Sequence, residues 1–468
     1  MRSAALLGLV ALLLAIAPSA VGDGTPAPSW LPHSTDATWE YQWTDSVYNT
    51  TPTKEKVTVC QASSAAPCSG TDPTPTAFQL TWTTDGENNP AGAPASRGTV
   101  SFAEQGLGLA TTDWNSNLPP SNFPALCASA PCGNSLASAY YNVIWGTRFP
   151  TLFEPLLQGT TWSTTGGDTR DVPSSSTNTY VGTEQITVPA FPNPVTAAKI
   201  RSQVTQAGAP GDPYGSGIRT TWWVYGVGPV KVEFDHAGGS SAPITTAVLV
   251  STNQTPQTPP SDANYFPMKL GLTGTFRWTN TKLFPKKPVV ESYSVDQVSN
   301  GTGQISVKDV SGPIKVNGSY GFTTRLDGVT NFFASTSSKT LVKFPPLGPS
   351  SLPPDQRRHF RTPFDLLTFG FNPMLPAYPA AGNTWQGAAS GRDYQIYGVT
   401  GTTTVVGMQR IKVPAGTFNA LVVRSTLKQP GFPFGSGVRT SWFAANRGLV
   451  KLVFKHGDGS TSTVELLK

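Results

Sequence analysis

Acid–base chemistry in this chain would fall first to its four histidines, His33, His236, His359 and His456, and thiol or metal chemistry to its four cysteines, Cys60, Cys68, Cys127 and Cys132. Two of the histidines recur at one place in a pattern. His236 ends the alternating row Val230, Val232, Phe234, and His456 ends the row Val450, Leu452, Phe454, 220 positions later. A histidine working as a general base needs an acid to orient it. Asp235 precedes the first, but Lys455 stands in that place before the second. The pair therefore predicts structural histidines, hydrogen-bonded at strand ends. No G-x-S-x-G elbow, H-E-x-x-H helix or phosphate-cradling glycine loop occurs, so no catalytic residue is assigned. Neither cysteine pair has C-x-x-C spacing with histidine nearby, so no metal and no cofactor are expected. An even cysteine count in an exported chain points to disulfides. Three connectivities are open, and the local pairs Cys60 with Cys68 and Cys127 with Cys132 are preferred because each closes a short loop.

Arg219 and Arg439 also recur, beside Trp223 and Phe443. Read by alternation, each arginine lies on the face opposite the core row. There it would either stack on its aromatic neighbour, worth about 0.5–1 kcal/mol at an exposed site, or hold the anionic head of an amphiphile at a groove mouth. Trp222, Trp442, Trp162 and Trp385 are expected to be structural.

These residues sit in a sequence written twice. Residues 215–240 align without gaps on 435–460, with 13 of 26 positions identical. Upstream, Val188-Pro189-Ala190 matches Val413-Pro414-Ala415, and Gly159-Thr160-Thr161-Trp162 matches Gly382-Asn383-Thr384-Trp385. Between the copies, 251–264 is rich in Thr and Pro and reads as a linker. The expected organisation is two homologous domains, about 23–250 and 265–468. Period-2 patterning predicts strands over 38–48, 54–60, 76–83, 98–103, 195–206, 216–225, 230–236, 289–298, 302–310, 314–324 and 418–428. Helical signals are sparse: 136–144 after Asn134, and a start at Thr362-Pro363 followed by Phe364, Leu366 and Leu367. The fold class is all-β with minor α: two tandem antiparallel curved sheets or incomplete barrels.

Composition sets the compartment. Charged residues are 13% of the chain and the net charge is +6, without the clustered basic footprint of a nucleic-acid binder. Gly and Pro, 46 and 43 in number, are frequent but accompany 38% hydrophobic residues, which suits a folded core. Residues 1–22 show one arginine, an apolar run and a small-residue end, the layout of a secretory signal peptide. No transmembrane segment is expected in the mature chain. A monomer in the extracellular or outer envelope space is expected.

The segment VPAGTFNALVVRS at 413–425, followed by GSGVRTSWFAANRGLVKLVF at 435–454, resembles a strand pattern in exported bacterial proteins of unknown function. More loosely, such domains are similar to the LolA/LolB-type lipoprotein carriers. That resemblance implies an incomplete β-barrel enclosing an acyl-binding cavity under helices, with no ligand residue carried over. The first copy departs from it where Pro192 and Asn193 interrupt the strand. The leading reading is a secreted, non-enzymatic protein that binds a lipid or other apolar ligand in a curved aromatic-rich sheet. The alternatives are a surface, adhesion or matrix protein without a small ligand, and a secreted hydrolase.

Overall fold

The structure is a computed structural model. It describes residues 29–47, 49–65, 68–84, 97–105, 107–117, 151–166, 174–206, 216–237, 244–340, 342–348, 351, 360–370, 373–386 and 398–468. The segment 1–22 expected as a signal peptide, Cys127, Cys132 and the helix expected at 136–144 lie outside the described residues.

The first antiparallel sheet contains β1 (Thr38–Asp45), β2 (Asn49–Val59), β3 (Ala77–Thr84), β4 (Arg97–Gln105), β5 (Gly108–Asn117) and β6 (Leu152–Phe153). It continues with β7 (Thr161–Gly166), β8 (Ser174–Ile186), β9 (Val195–Gln206), β10 (Gly217–Val224), β11 (Gly228–His236) and β12 (Ile244–Thr252). The second contains β13 (Thr273–Asn280), β14 (Phe284–Ser299), β15 (Thr302–Ser311), β16 (Ile314–Arg325) and β17 (Gly328–Thr340). Its remaining strands are β18 (Thr384–Gln386), β19 (Thr400–Val413), β20 (Gly416–Lys428), β21 (Gly437–Ala444), β22 (Gly448–His456) and β23 (Thr461–Leu466).

Both sheets share one topology. The chain starts at the centre, meanders to one edge, passes to the far edge and meanders back, so that β1 lies beside β12 and β13 beside β23. The edges left over, β6 and β7 in the first sheet, flank a seam that the chain itself crosses in residues 154–160. Stacking of Phe153 on Trp162, 5.8 Å between centroids, spans that seam. In the second sheet Val329 exchanges backbone hydrogen bonds with Met374 and Leu375, and Trp385 Nε1 donates to Pro373 O at 2.9 Å. A sheet whose first and last strands pair and whose edges curl together is a nearly closed barrel, the arrangement that leaves least unpaired edge.

Strand alternation builds the interior. Trp39, Tyr41 and Trp43 of β1 are buried while Glu40, Gln42 and Thr44 face outward. In the second sheet Phe276 and Trp278 take the same row. Each such ring contributes about 1.5–3 kcal/mol by leaving water. The start foreseen at Thr362-Pro363 is a helix, α1 (Pro363–Thr368), whose cap Thr362 accepts the Asp365 N–H through its hydroxyl at 3.1 Å. All six of its residues are buried, and the Phe364 ring packs on Phe276, Tyr293 and Tyr320 at 6.0, 5.6 and 5.4 Å.

The segment expected as a linker, 251–264, is fastened at both ends. Ser251 and Thr252 finish β12, Gln257 N donates to Tyr225 O at 2.8 Å, and Tyr180 Oη donates to the Asp262 carboxylate at 2.9 Å. At its far end Asn264 O accepts from Asn446 N at 2.7 Å.

Candidate functional site

The repeated histidines sit at the end of the interior row of each sheet. His236 Nε2 lies 2.6 Å from Thr245 Oγ1, and that hydroxyl donates to Asp45 Oδ2 at 2.8 Å. Since the threonine proton is committed to the carboxylate, the imidazole Nε2–H is the donor to the hydroxyl. This is the reverse of a base taking a proton from a nucleophile. In the second copy His456 Nδ1–H donates to Phe434 O at 2.6 Å, so Nε2 accepts from Ser462 Oγ at 2.9 Å, and Ser462 in turn accepts from Asn280 Nδ2 at 3.1 Å. Burial holds His456 neutral by lowering its pKa from 6.5 to about 4. Phe434 stacks on it at 4.3 Å, and Phe454 packs against it in a tilted arrangement at 4.1 Å. Asp45, Thr245, Asn280 and Ser462 are fully buried, so no substrate reaches either trio as it stands. The group behind the hydroxyl of each trio is thus Asp45 or Asn280 from the first strand of each copy, not the Asp235 that adjoins His236 in sequence.

The arginines correct the alternation reading. Arg219 stands directly opposite Phe234, and Arg439 opposite Phe454, and cross-strand partners share a face. Both are 5% exposed and lie on the core face with Thr221 and Ser441. The reading failed because the other row, Ile218, Thr220 and Trp222, is the more apolar of the two although it faces outward. Plain alternation keeps Trp223 and Phe443 on the arginines' face, where both are buried, and the register shift after Trp222, repeated after Trp442, falls in the partner strand at Val230 and Val450. Arg439 Nη1 donates to Leu366 O and Phe369 O, both at 2.7 Å, and so ties the end of α1 to β21. Trp222 and Trp442 take the outer face. Trp222 Nε1 donates to Glu184 with Lys231 4.9 Å over its ring, and Trp442 Nε1 donates to Gln409 at 2.8 Å. Trp162 and Trp385 both sit at the seams, in the contacts given above. Cys60 and Cys68 form a disulfide.

Beside the buried aspartates, two buried glutamates also escaped the sequence reading. Glu55 of β2 faces Tyr41, and Glu291 of β14 faces Phe276 at the matching position of the second copy. Burial raises Glu55 from 4.5 to about 8. It also raises Glu291 well above the ordinary range, with Asp365 and Asp309 nearby adding to the effect. The available signal was alternation itself: Val289, Glu291, Tyr293 and Val295 form one inward row.

Between the copies lies a cleft of about 210 Å³. Phe153, Leu157 and Thr160 line it from the first copy, and Phe266, Met268, Leu272 and Val298 from the second. Among the described residues of the lining, Lys269 is the one that carries a charge. The walls are fixed by Leu156 N donating to Tyr378 Oη at 3.0 Å, Ser163 N to Asn300 Oδ1 at 3.0 Å and Asn446 Nδ2 to Gln158 Oε1 at 2.8 Å. Among the described residues no group of three or more His, Cys, Asp or Glu could hold a metal, and no helix is long and apolar enough to cross a membrane.

No known family model matches the chain, and no curated protein is significantly similar to it. Among solved structures it is similar to a Bacteroides fragilis protein described as exported and of YmcC-like fold, at 10% identity and a TM-score of 0.26. That match covers 48% of this chain and 100% of the other. A Parabacteroides distasonis protein described as a lipoprotein matches at 12% identity and a TM-score of 0.26, covering 49% of this chain and 100% of its own.

Proposed function

We propose that the chain is an exported, non-enzymatic binding protein whose two homologous domains, about 23–250 and 265–468, hold an apolar ligand between them. The carrying observation is the cleft lined by Phe153, Leu157, Phe266, Met268 and Leu272, with Lys269 beside an otherwise uncharged wall. At about 210 Å³ it is below the ~300–1,000 Å³ of sites for drug-sized ligands, which suits a short alkyl chain or one arm of a lipid. Lys269 supports an acidic head group on that chain. The signal-like segment 1–22 supports export.

Organic extraction of the purified protein with mass spectrometry, together with titration of a fluorescent short-chain fatty acid, tests this reading. Saturable uptake is expected, lost in Leu272→Trp, which fills the cleft, and weakened in Lys269→Glu. A protein that yields no extractable ligand and takes up no probe overturns it, as does uptake that Leu272→Trp leaves unchanged.

A further inference from the structure

We infer that one end of the second sheet docks on an anionic phospholipid surface. Strand register gathers four segments at this end: Asn280 pairs with both Phe284 and Ser462, Ile314 pairs with Thr340, and Lys455 pairs with Thr461. The gathered segments carry Lys282, Lys286, Lys287, Lys315, Lys339, Lys343 and Lys455, all exposed, against Asp309 and Asp458. Seven lysines and two carboxylates in one place account for most of a chain net charge of +6.

The carboxylates do not neutralise the groove. Asp309 pairs with Lys315 at 2.9 Å, and Asp458 answers Lys282 alone of the groove lysines, its backbone carbonyl accepting from Lys282 Nζ and its carboxylate lying within electrostatic reach of it. No carboxylate among the described residues pairs with Lys286, Lys287 or Lys343. Lys315 also stands directly opposite Lys339, and among the described residues Asp309 is the carboxylate that meets this like-charge pair.

Shape selects the kind of anion. Lys282, Lys286, Lys287 and Lys343 rim a groove of about 470 Å³ whose floor is Leu283, Phe284, Pro313 and Val342. A cationic rim above an apolar floor fits phosphate groups adjoining hydrocarbon, as at a bilayer interface. A soluble polyanion would leave the floor uncovered. The fold does not demand this charge, since the matching β1–β2 turn of the first copy, residues 45–49, carries no lysine.

Flotation with vesicles tests the inference: phosphatidylcholine alone against phosphatidylcholine with 30% phosphatidylglycerol, roughly the anionic fraction that gives a strong surface potential. Binding to the anionic vesicles only is expected, weakening as salt is raised. Lys286→Glu, Lys287→Glu and Lys343→Glu together should reduce it by roughly 100-fold, at about fivefold or more per lysine. A charge-matched control, Lys54→Glu, Lys56→Glu and Lys412→Glu, should retain most of the binding, and circular dichroism should show both triples folded. Equal binding to neutral vesicles, or an equal loss in the control triple, would overturn the inference.

Discussion

Replacing Glu55 by Gln should remove a large part of the pH dependence of stability. The folded protein holds the Glu55 proton up to about pH 8, whereas the unfolded chain releases it near the ordinary 4.5. Between those values the folded state binds more protons, so stability falls as pH rises. The contribution is fully present below pH 4.5, declines by about 1.4 kcal/mol per pH unit, and is gone above about pH 8. Over the interval of 3.5 units this amounts to about 5 kcal/mol. Glutamine keeps the size of the side chain and has no proton to lose. Tyr41, which faces Glu55, is itself pushed well above its ordinary range and stays neutral across the interval. Urea unfolding followed by tryptophan fluorescence at pH 5, 6, 7 and 8 gives the slope for each protein. The Gln variant should be flatter than wild type by about 1.4 kcal/mol per unit, with the residual slope belonging to Glu291 and other raised carboxyls. Equal slopes in the two proteins would refute the reasoning.

His456 works in the opposite direction. Its folded pKa of about 4 lies below the unfolded 6.5, so stability is full above pH 6.5 and falls by about 3 kcal/mol as pH drops to 4, a loss that His456→Phe should abolish in acid unfolding. Arg439→Met removes the donors to Leu366 O and Phe369 O and should lower the melting temperature by the loss of about 1.5–3 kcal/mol per bond; an unchanged melting temperature contradicts that role. Gly437→Ala would place a Cβ 2.0 Å from Lys455 O, and Gly217→Ala one 2.1 Å from Asp235 O. Each should cost more than about 2 kcal/mol in urea unfolding, because β-ladder backbone must move. Reducing the Cys60–Cys68 bond should destabilise the first sheet by roughly 2–3 kcal/mol, read as a shift of the unfolding midpoint in dithiothreitol.

Much of the sheet was legible because period 2 is a local signal: the strands foreseen at 302–310, 314–324 and 418–428 lie within β15, β16 and β20. The start of α1 was legible for the same reason, since a threonine cap and a proline at the first turn act within four residues. Which face of a strand is inside is not local. Alternation assigns Trp222 to the inner face and Arg219 to the outer one until the partner strand sets Phe234 opposite the arginine; both side chains are 5% exposed, on opposite faces. Asp45 and Thr245 meet His236 only because the first and last strands of the copy pair, a contact that spans nearly its whole length. The cleft was hidden more deeply, since Phe153 and Met268 come from different copies and neither lies in a motif.

Pairing of the first strand with the last has a consequence for how the chain was able to double. Trp39 faces Thr252 and Phe276 faces Leu466, so each copy begins and ends on neighbouring strands, and two such units can follow one another without threading or displacing any ladder. The same geometry makes each unit a candidate for circular permutation. Joining Thr38 to Thr252 through a few residues and reopening the chain in 154–160 would leave every strand pairing of the first sheet in place. The seam, rather than the termini, is then the natural break in an otherwise continuous ring.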